Sequence, residues 1–411
     1  MDNARAFAKS ETGNIRRDNQ DSHLVDEAKG VFSIADGMGG KSGGKEASRT
    51  LVDRIAESAA DFHKLASTLN PVTDQEHRDR ILGALEARLH AVNRELYEAG
   101  DGEMGTTCDV VLLSPDAAFI AHVGDSRVYL VRDAAIFRLT EDHTFAEKIR
   151  RTRRKIGLET GADQFVQYEH ILTRSIGGDP RVDVDTLFVD LQPGDRFILC
   201  SDGVSGPLDD EDLLATSMSC GAGALSDALV ESALRNGARD NVTALVVDIP
   251  TETEGTFDRA RPIDTIRKIS FLEQIDLFDG VESHDLLKLL RIVFKREYDD
   301  GDVIIREGGL AEQMFMILEG DVSLRVDGEE VARMGPGEHF GEMALFSADE
   351  RSADAVAEGE VTLLAIASER FRRLVERDDL ELGNKLLQNL LKHAARRIRT
   401  TTSDMLSLEP G

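Results

Sequence analysis

Apolar residues in this chain gather in short runs that stop at aspartate. VFSIAD, AFIAHVGD and RFILCSD each end in an acidic residue, and DNVTALVV begins with one. The four are Asp36, Asp125, Asp202 and Asp240, each beside Gly or Asn. Runs of this kind predict buried strands, and Gly or Asn marks where a strand stops. Strands are expected at 31–35, 109–113, 118–123, 127–131, 196–200 and 243–249. Residues 50–69 and 80–99 instead place apolar residues three and four apart, which predicts two amphipathic helices.

The texture changes after PTETEGTFDRARP, a polar stretch with Pro at both ends that reads as a linker. The expected organisation is a first domain over 1–250, a linker over 251–263, a second domain over 264–400 and a tail over 401–411. In the second domain, 264–293 reads as helical. Short strands broken by glycines at 301, 308, 309, 320, 328, 335, 337 and 341 then predict a small β-roll. Residues 366–399 return to helix. Leu382, Leu386, Leu387, Leu390, Leu391, Ala394, Ala395 and Ile398 form one apolar stripe there, suited either to closing over a ligand or to packing in a homodimer.

Composition narrows the function classes. A formal net charge of -28 over 411 residues disfavours nucleic acid and anionic membranes as partners. Cys108, Cys200 and Cys220 have no metal-like spacing, and the first and second lie in apolar runs, as buried thiols of a reducing compartment do. There is no apolar leader at the N-terminus, and no run approaches the roughly 18 apolar residues of a spanning helix. The expectation is a soluble, cytoplasmic protein.

Carboxylates at strand ends, where Gly lets the backbone come close, suit a hard divalent cation such as Mg2+ or Mn2+. Two such ions about 3.5–4 Å apart can hold a bridging water and aim it at phosphorus. An arginine fork suits the phosphoryl oxygens.

Arg16-Arg17-Asp18-Asn19-Gln20-Asp21 resembles the RxxNQD motif of bacterial PPM-type, metal-dependent protein Ser/Thr phosphatases. The family's later motifs follow in order: ADGMGG at 35–40, GKEAS at 44–48, GTT at 105–107, GDSR at 124–127, LTEDHT at 139–144, LTRSIGG at 172–178, CSDGV at 200–204 and RDNVT at 239–243. The resemblance implies a four-layer αββα sandwich. It also implies that Asp36 bridges two metals and the Gly37 carbonyl binds one of them. Asp202 and Asp240 would complete the other site, and Asp125 would hold a third, weaker metal. Asp21 would orient metal-bound water, and Arg16 would grip the substrate phosphate. Met38 stands where many eukaryotic members carry a general-acid His, so the proton donor to the leaving group stays open. Gln20 and Lys41 also depart from frequent Glu and His, without removing a direct metal ligand. The cationic stretch 148–155 falls where this family has a mobile flap, and reads as a funnel for acidic substrates or as a solvated helix face.

In the second domain, Gly341-Glu342 precedes Arg351-Ser352 by nine residues. A Gly-led turn opening a short helix, with an Arg and a carboxylate, fits a ribose phosphate. The stretch is similar to the phosphate-binding cassette of cyclic-nucleotide-binding domains. That implies Glu342 on the ribose 2′-hydroxyl, Arg351 on the cyclic phosphate, and the backbone of Gly341, Met343 and Ala344 around it. Ser352 fits cAMP or cGMP, and Asp354, where Thr is common in kinase subunits, leaves the choice open. Together the two halves imply a phosphatase for phosphorylated proteins regulated by a cyclic nucleotide. The alternative is an inert phosphatase fold that binds phosphoproteins as a nucleotide sensor.

Overall fold

The computed structural model describes residues 4–39, 43–68, 74–155, 168–251, 265–281, 285–286, 289–290, 292–345, 350–378 and 382–392. The expected linker, apart from Thr251, the tail, and Ala394, Ala395 and Ile398 of the apolar stripe lie outside these residues. The chain divides into two compact units, Met1–Pro262 and Ile263–Gly411.

The first unit is built on two antiparallel sheets. One contains β1 (Arg5–Glu11), β7 (Arg127–Arg132), β8 (Ala135–Arg138), β10 (Arg196–Cys200) and β11 (Val242–Asp248), in the order β1-β11-β10-β7-β8. The other contains β2 (Asp21–Asp26), β3 (Val31–Met38), β5 (Cys108–Leu113), β6 (Ala117–Val123) and β9 (Asp185–Asp190), in the order β2-β3-β5-β6-β9. A two-residue β4 (Gly105–Thr106) adds to β3.

Side-chain alternation builds the layers. Cys108, Val110 and Leu112 of β5 and Ala117, Phe119 and Ala121 of β6 pack with Leu51, Ile55, Leu85 and Leu89 of helices α1 (Gly43–Ala66) and α2 (Gln75–Gly100). On the other sheet, Ile198, Cys200, Ala244 and Val246 pack with Leu213, Leu225 and Leu229 of α5 (Asp210–Ser219) and α6 (Ala222–Arg235). The alternate residues Phe32, Val111, Ile120, Leu130, Phe197, Leu199 and Leu245 are buried as well, which fills the space between the sheets. The result is helices, sheet, sheet, helices, as the resemblance implied.

The structure extends and corrects the sequence reading. The helix expected at 50–69 starts at Gly43, and its described turns end at Ala66. β1, β2, β8, β9, α5 and α6 were not foreseen, nor was the one-turn α4 (Asp202–Ser205), whereas the cationic stretch lies on a helix, α3 (Phe145–Lys155), one of its two expected readings. Cys108 and Cys200 are buried free thiols, as expected, and Cys220 is half-buried. No described helix is long and apolar enough to cross a membrane.

The second unit has one antiparallel sheet in which β12 (Val293–Tyr298), β17 (Asp354–Ala367), β14 (Gln313–Val326) and β15 (Glu329–Met334) lie in that order. β13 (Val303–Ile305) pairs with β17, and β16 (His339–Phe340) with β14. Ile305, Phe315, Ile317, Val322, Phe340, Val361 and Leu363 form its core. Register shifts between Ile317 and Asp321 bend β14. The expected 264–293 helix is α7 (Thr265–Leu272) followed by a short 3-10 turn at Asp276–Phe278. Strand β17 occupies Ile366 and Ala367, where helix was expected to have begun. Helix follows at α8 (Ser368–Arg373) and, after a π turn, at 382–392. Leu382 and Leu386 of the stripe are buried, whereas Leu391 is exposed.

Candidate active site

The five acidic residues meet at one end of the sandwich. Asp36 lies near the end of β3, and Asp21, the first residue of β2, is its direct cross-strand partner. Asp125 sits in the turn from β6 to β7, where the chain passes from one sheet to the other. Asp202 opens α4 after β10, and Asp240 lies just before β11, the neighbour of β10. Close backbone approach makes this possible. A Cβ on Gly37 would lie 2.1 Å from the Gly44 carbonyl oxygen, so β3 and the start of α1 touch through glycine alone.

The electrostatics follow from this crowding. Burial, then the charges of Asp21, Asp202, Asp125 and Asp240, push the Asp36 carboxyl well above the usual carboxylate range. Burial raises Asp21 to about 6 despite hydrogen bonds from the Thr243 hydroxyl at 2.6 Å and the Ser201 hydroxyl at 3.0 Å. Burial and the Asp202 charge push Asp125 to about 7. Oδ1 of Asp21 and Oδ1 of Asp202 are buried without a hydrogen-bond donor. A cluster of oxygen donors that repel one another and lack partners fits a hard divalent cation. Among the described residues, no three His, Cys, Asp or Glu side chains form a group that could hold an ion by themselves.

Arg16 is half-exposed beside the acidic residues, and its Nη2 donates to Asp240 Oδ2 at 2.5 Å. The loop that carries it is held by Asn241. The Asn241 side chain accepts from the Gln20 amide at 2.8 Å and donates to the carbonyls of Thr12 and Asp18. Asn19 accepts from the Asp21 amide and donates to the Ser10 hydroxyl. Sequence reasoning passed over these residues, although the RxxNQD and RDNVT motifs contain Asn19 and Asn241. It also passed over His170, an exposed imidazole whose Nδ1 lies 3.7 Å from Asp202 Oδ2. The nearby Asp202 carboxylate raises its pKa. Of the cationic stretch, Arg150 pairs with Glu147 and Glu169, and residues 156–167 beyond the helix are not among those described.

The second unit brings Gly341 and Arg351 together. Arg351 Nη2 donates to the Gln313 carbonyl at 2.6 Å and Nη1 to the Gly341 carbonyl at 3.3 Å. Glu342–Leu345 is a short 3-10 helix with Ala344 buried and Met343 exposed. Ser352 is exposed, and Asp354 Oδ1 accepts from the Glu307 amide at 2.7 Å. Residues 346–349, between the two halves of the cassette, lie outside the described residues.

Comparison with known proteins places this geometry. The Protein phosphatase 2C family model matches residues 11–236, and the Cyclic nucleotide-binding domain model matches residues 295–378. The chain belongs to the protein phosphatase 2C family, with a second unit of the cyclic-nucleotide-binding type. It is 30% identical over 250 residues to the serine/threonine protein phosphatase PstP of Mycobacterium tuberculosis, an alignment covering 60% of this chain and 45% of that protein. It therefore spans less than half the length of that relative. To the serine/threonine phosphatase stp of Listeria monocytogenes it is 30% identical over 251 residues, covering 58% of this chain and 94% of the other. Among solved structures, M. tuberculosis PstP/Ppp superposes with a TM-score of 0.51 at 30% identity, over 60% of this chain and 99% of that one. The PstP catalytic domain in complex with 2 manganese ions superposes with a TM-score of 0.50 at 30% identity, over 60% and 98%.

Proposed function

We propose that this chain is a Mg2+- or Mn2+-dependent phosphatase of phosphoserine and phosphothreonine in proteins, regulated by cAMP or cGMP bound in its second unit. The observation that carries the reading is the convergence of Asp21, Asp36, Asp125, Asp202 and Asp240, with buried carboxyl oxygens that lack donors. Asp36, the Gly37 carbonyl, Asp202 and Asp240 would hold two ions, as the PstP catalytic domain holds 2 manganese ions, and Asp125 a third. When bound, such ions supply an activated water and neutralise phosphoryl oxygens.

The chain's own groups do the rest. Ser201 and Thr243 fix one oxygen of Asp21, leaving Oδ1 to orient water. Arg16, paired with Asp240 and half-exposed, can turn its fork to a phosphate. The six cations that the sequence carries at 148–155 would draw an acidic phosphopeptide.

In the second unit, the Arg351 guanidinium would leave its two carbonyls for the cyclic phosphate, and Glu342 would take the ribose hydroxyl. The backbone of Gly341, Met343 and Ala344, with Ser352, would complete the pocket. Regulation requires different affinity for two states, and couplings of about 1–3 kcal/mol change activity roughly 5- to 150-fold. A cytoplasmic location and a helix at 382–392 that serves as lid or dimer contact complete the proposal.

The test is phosphate release from a phosphoserine peptide by the full chain with Mn2+, with and without each nucleotide. Hydrolysis that EDTA abolishes and one nucleotide changes supports the reading. No hydrolysis with Mn2+ favours the inert phosphoprotein-binding alternative. Unchanged hydrolysis despite measured nucleotide binding removes the regulatory half alone.

A further inference from the structure

The ladder between β3 and β5 stops at Ile34–Asp109, and that between β3 and β4 begins at Gly37–Thr106. Asp36 falls in the gap. Its amide is not received by a strand carbonyl there but by the Thr107 side-chain hydroxyl, at 2.9 Å. The Thr107 amide returns a bond to the Asp36 carbonyl at 2.8 Å, and the Thr106 hydroxyl adds another at 2.9 Å. The Thr107 hydroxyl is also 2.8 Å from the Ser126 hydroxyl, and both residues are buried. Ser126 directly follows Asp125. One hydroxyl therefore joins the two segments that carry Asp36 and Asp125.

The methyl branch of Thr107 supports the same turn. Gly124 has φ +119, and a Cβ there would lie 2.6 Å from Thr107 Cγ2. The turn's backbone thus rests on the threonine side chain. From the other side His143 closes on it: its amide donates to the Gly124 carbonyl at 2.7 Å, and its Nδ1 accepts from the Gly124 amide at 3.1 Å. Burial lowers the His143 imidazole to about 4, so the ring stays neutral and Nδ1 stays an acceptor. Asp142 binds the Arg127 guanidinium through both oxygens, at 3.0 and 2.8 Å. The turn is clamped between Asp142-His143 and Thr107.

We infer that Thr107 is a positioning residue: its hydroxyl, joined to Ser126, holds Asp125 in place beside Asp36 and thereby sets the affinity for the cation that Asp125 would hold. This rests on the metal-dependent reading above. A buried hydroxyl pair could serve folding alone, so the test must separate the two roles. Valine keeps the shape of Thr107 and removes both bonds, whereas serine keeps the hydroxyl.

The experiment is calorimetric titration of Mn2+ into the metal-stripped full chain. It compares wild type, Thr107→Val, Thr107→Ser, Ser126→Ala, Asp125→Asn and Thr107→Val combined with Asp125→Asn. The expected result is that Thr107→Val and Ser126→Ala weaken the weakest Mn2+ class about tenfold, the scale of one buried hydrogen bond. Thr107→Ser should stay within about twofold of wild type. In the Asp125→Asn background Thr107→Val should cost no more than about twofold. A Thr107→Val protein that binds like wild type, or a tenfold loss that persists without Asp125, overturns the inference. Should Thr107→Val fail to fold, Ser126→Ala carries the same comparison. No Mn2+ uptake by wild type would overturn the metal reading and this inference with it, whereas normal uptake by every variant overturns this inference alone.

Discussion

Asp21 and Asp36 face each other directly across β2 and β3. Like charges opposite one another on neighbouring strands destabilise a sheet, and here burial deepens the cost. Among the described residues, the hydrogen bonds that Asp21 Oδ2 receives come from two neutral hydroxyls, those of Ser201 and Thr243. A cation is the partner this arrangement lacks.

One consequence is a pH dependence of the metal-free protein. Asp21 at about 6 and Asp125 at about 7 are raised above the unfolded carboxyl. The folded chain therefore binds more protons than the unfolded chain from about pH 4, where an unfolded carboxyl titrates, up to about pH 7, and these two groups lose their stabilising effect across that window. Thermal unfolding in EDTA should show Tm decreasing from about pH 5 to about pH 7 and levelling off above it. With saturating Mn2+ the decrease should disappear, because ligated carboxylates stay ionised. Equal slopes with and without Mn2+ would contradict this.

Asp21→Asn should stabilise the metal-free protein while weakening metal binding. The amide oxygen can still accept from Ser201 and Thr243, and a buried charge opposite Asp36 is removed. At pH 8 in EDTA the expected gain is about 1 kcal/mol, or roughly 2–4 °C in a unit of this size. In Mn2+ the order of wild type and variant should reverse. A variant less stable than wild type in EDTA would show that the repulsion is not there.

In the second unit, Arg351→Ala should abolish cyclic-nucleotide binding in a calorimetric titration, with a loss of at least about a hundredfold, the scale of removing one partner of a buried charge pair. It should also cost the unit about 1–2 kcal/mol without ligand, because the Gln313 and Gly341 carbonyls lose their donor. Retained nucleotide affinity would remove Arg351 from the binding site.

Different parts of the molecule were legible in the sequence for different physical reasons. Strands such as β6 and β10 are buried on both faces, so AAFIAHV and RFILC are continuous apolar runs that announce themselves. β1 and β2 are half-exposed at sheet edges, and RAFAKSE and DSHLVD carry mixed patterns that only pairing with β11 and β3 resolves. Helix α6 did carry an apolar period in AGALSDALVESALR and could have been found. Asp36, Asp125, Asp202 and Asp240 were legible because an acid at the end of an apolar run is unusual. Thr107, Ser126 and His143 were not, because their roles depend on contacts between segments distant in sequence. The self-bonded state of Arg351 was equally hidden, since a carbonyl partner leaves no trace in residue identity.

Acidic side chains, distant in sequence, are proposed to share hard cations. The direct measurement is calorimetric uptake of Mn2+ by the metal-stripped chain, compared with a variant carrying both Asp36→Asn and Asp240→Asn. Uptake of at least two ions by wild type and its loss in the double variant is the expected result. Wild type that takes up no Mn2+, or a double variant that binds it undiminished, would contradict the account.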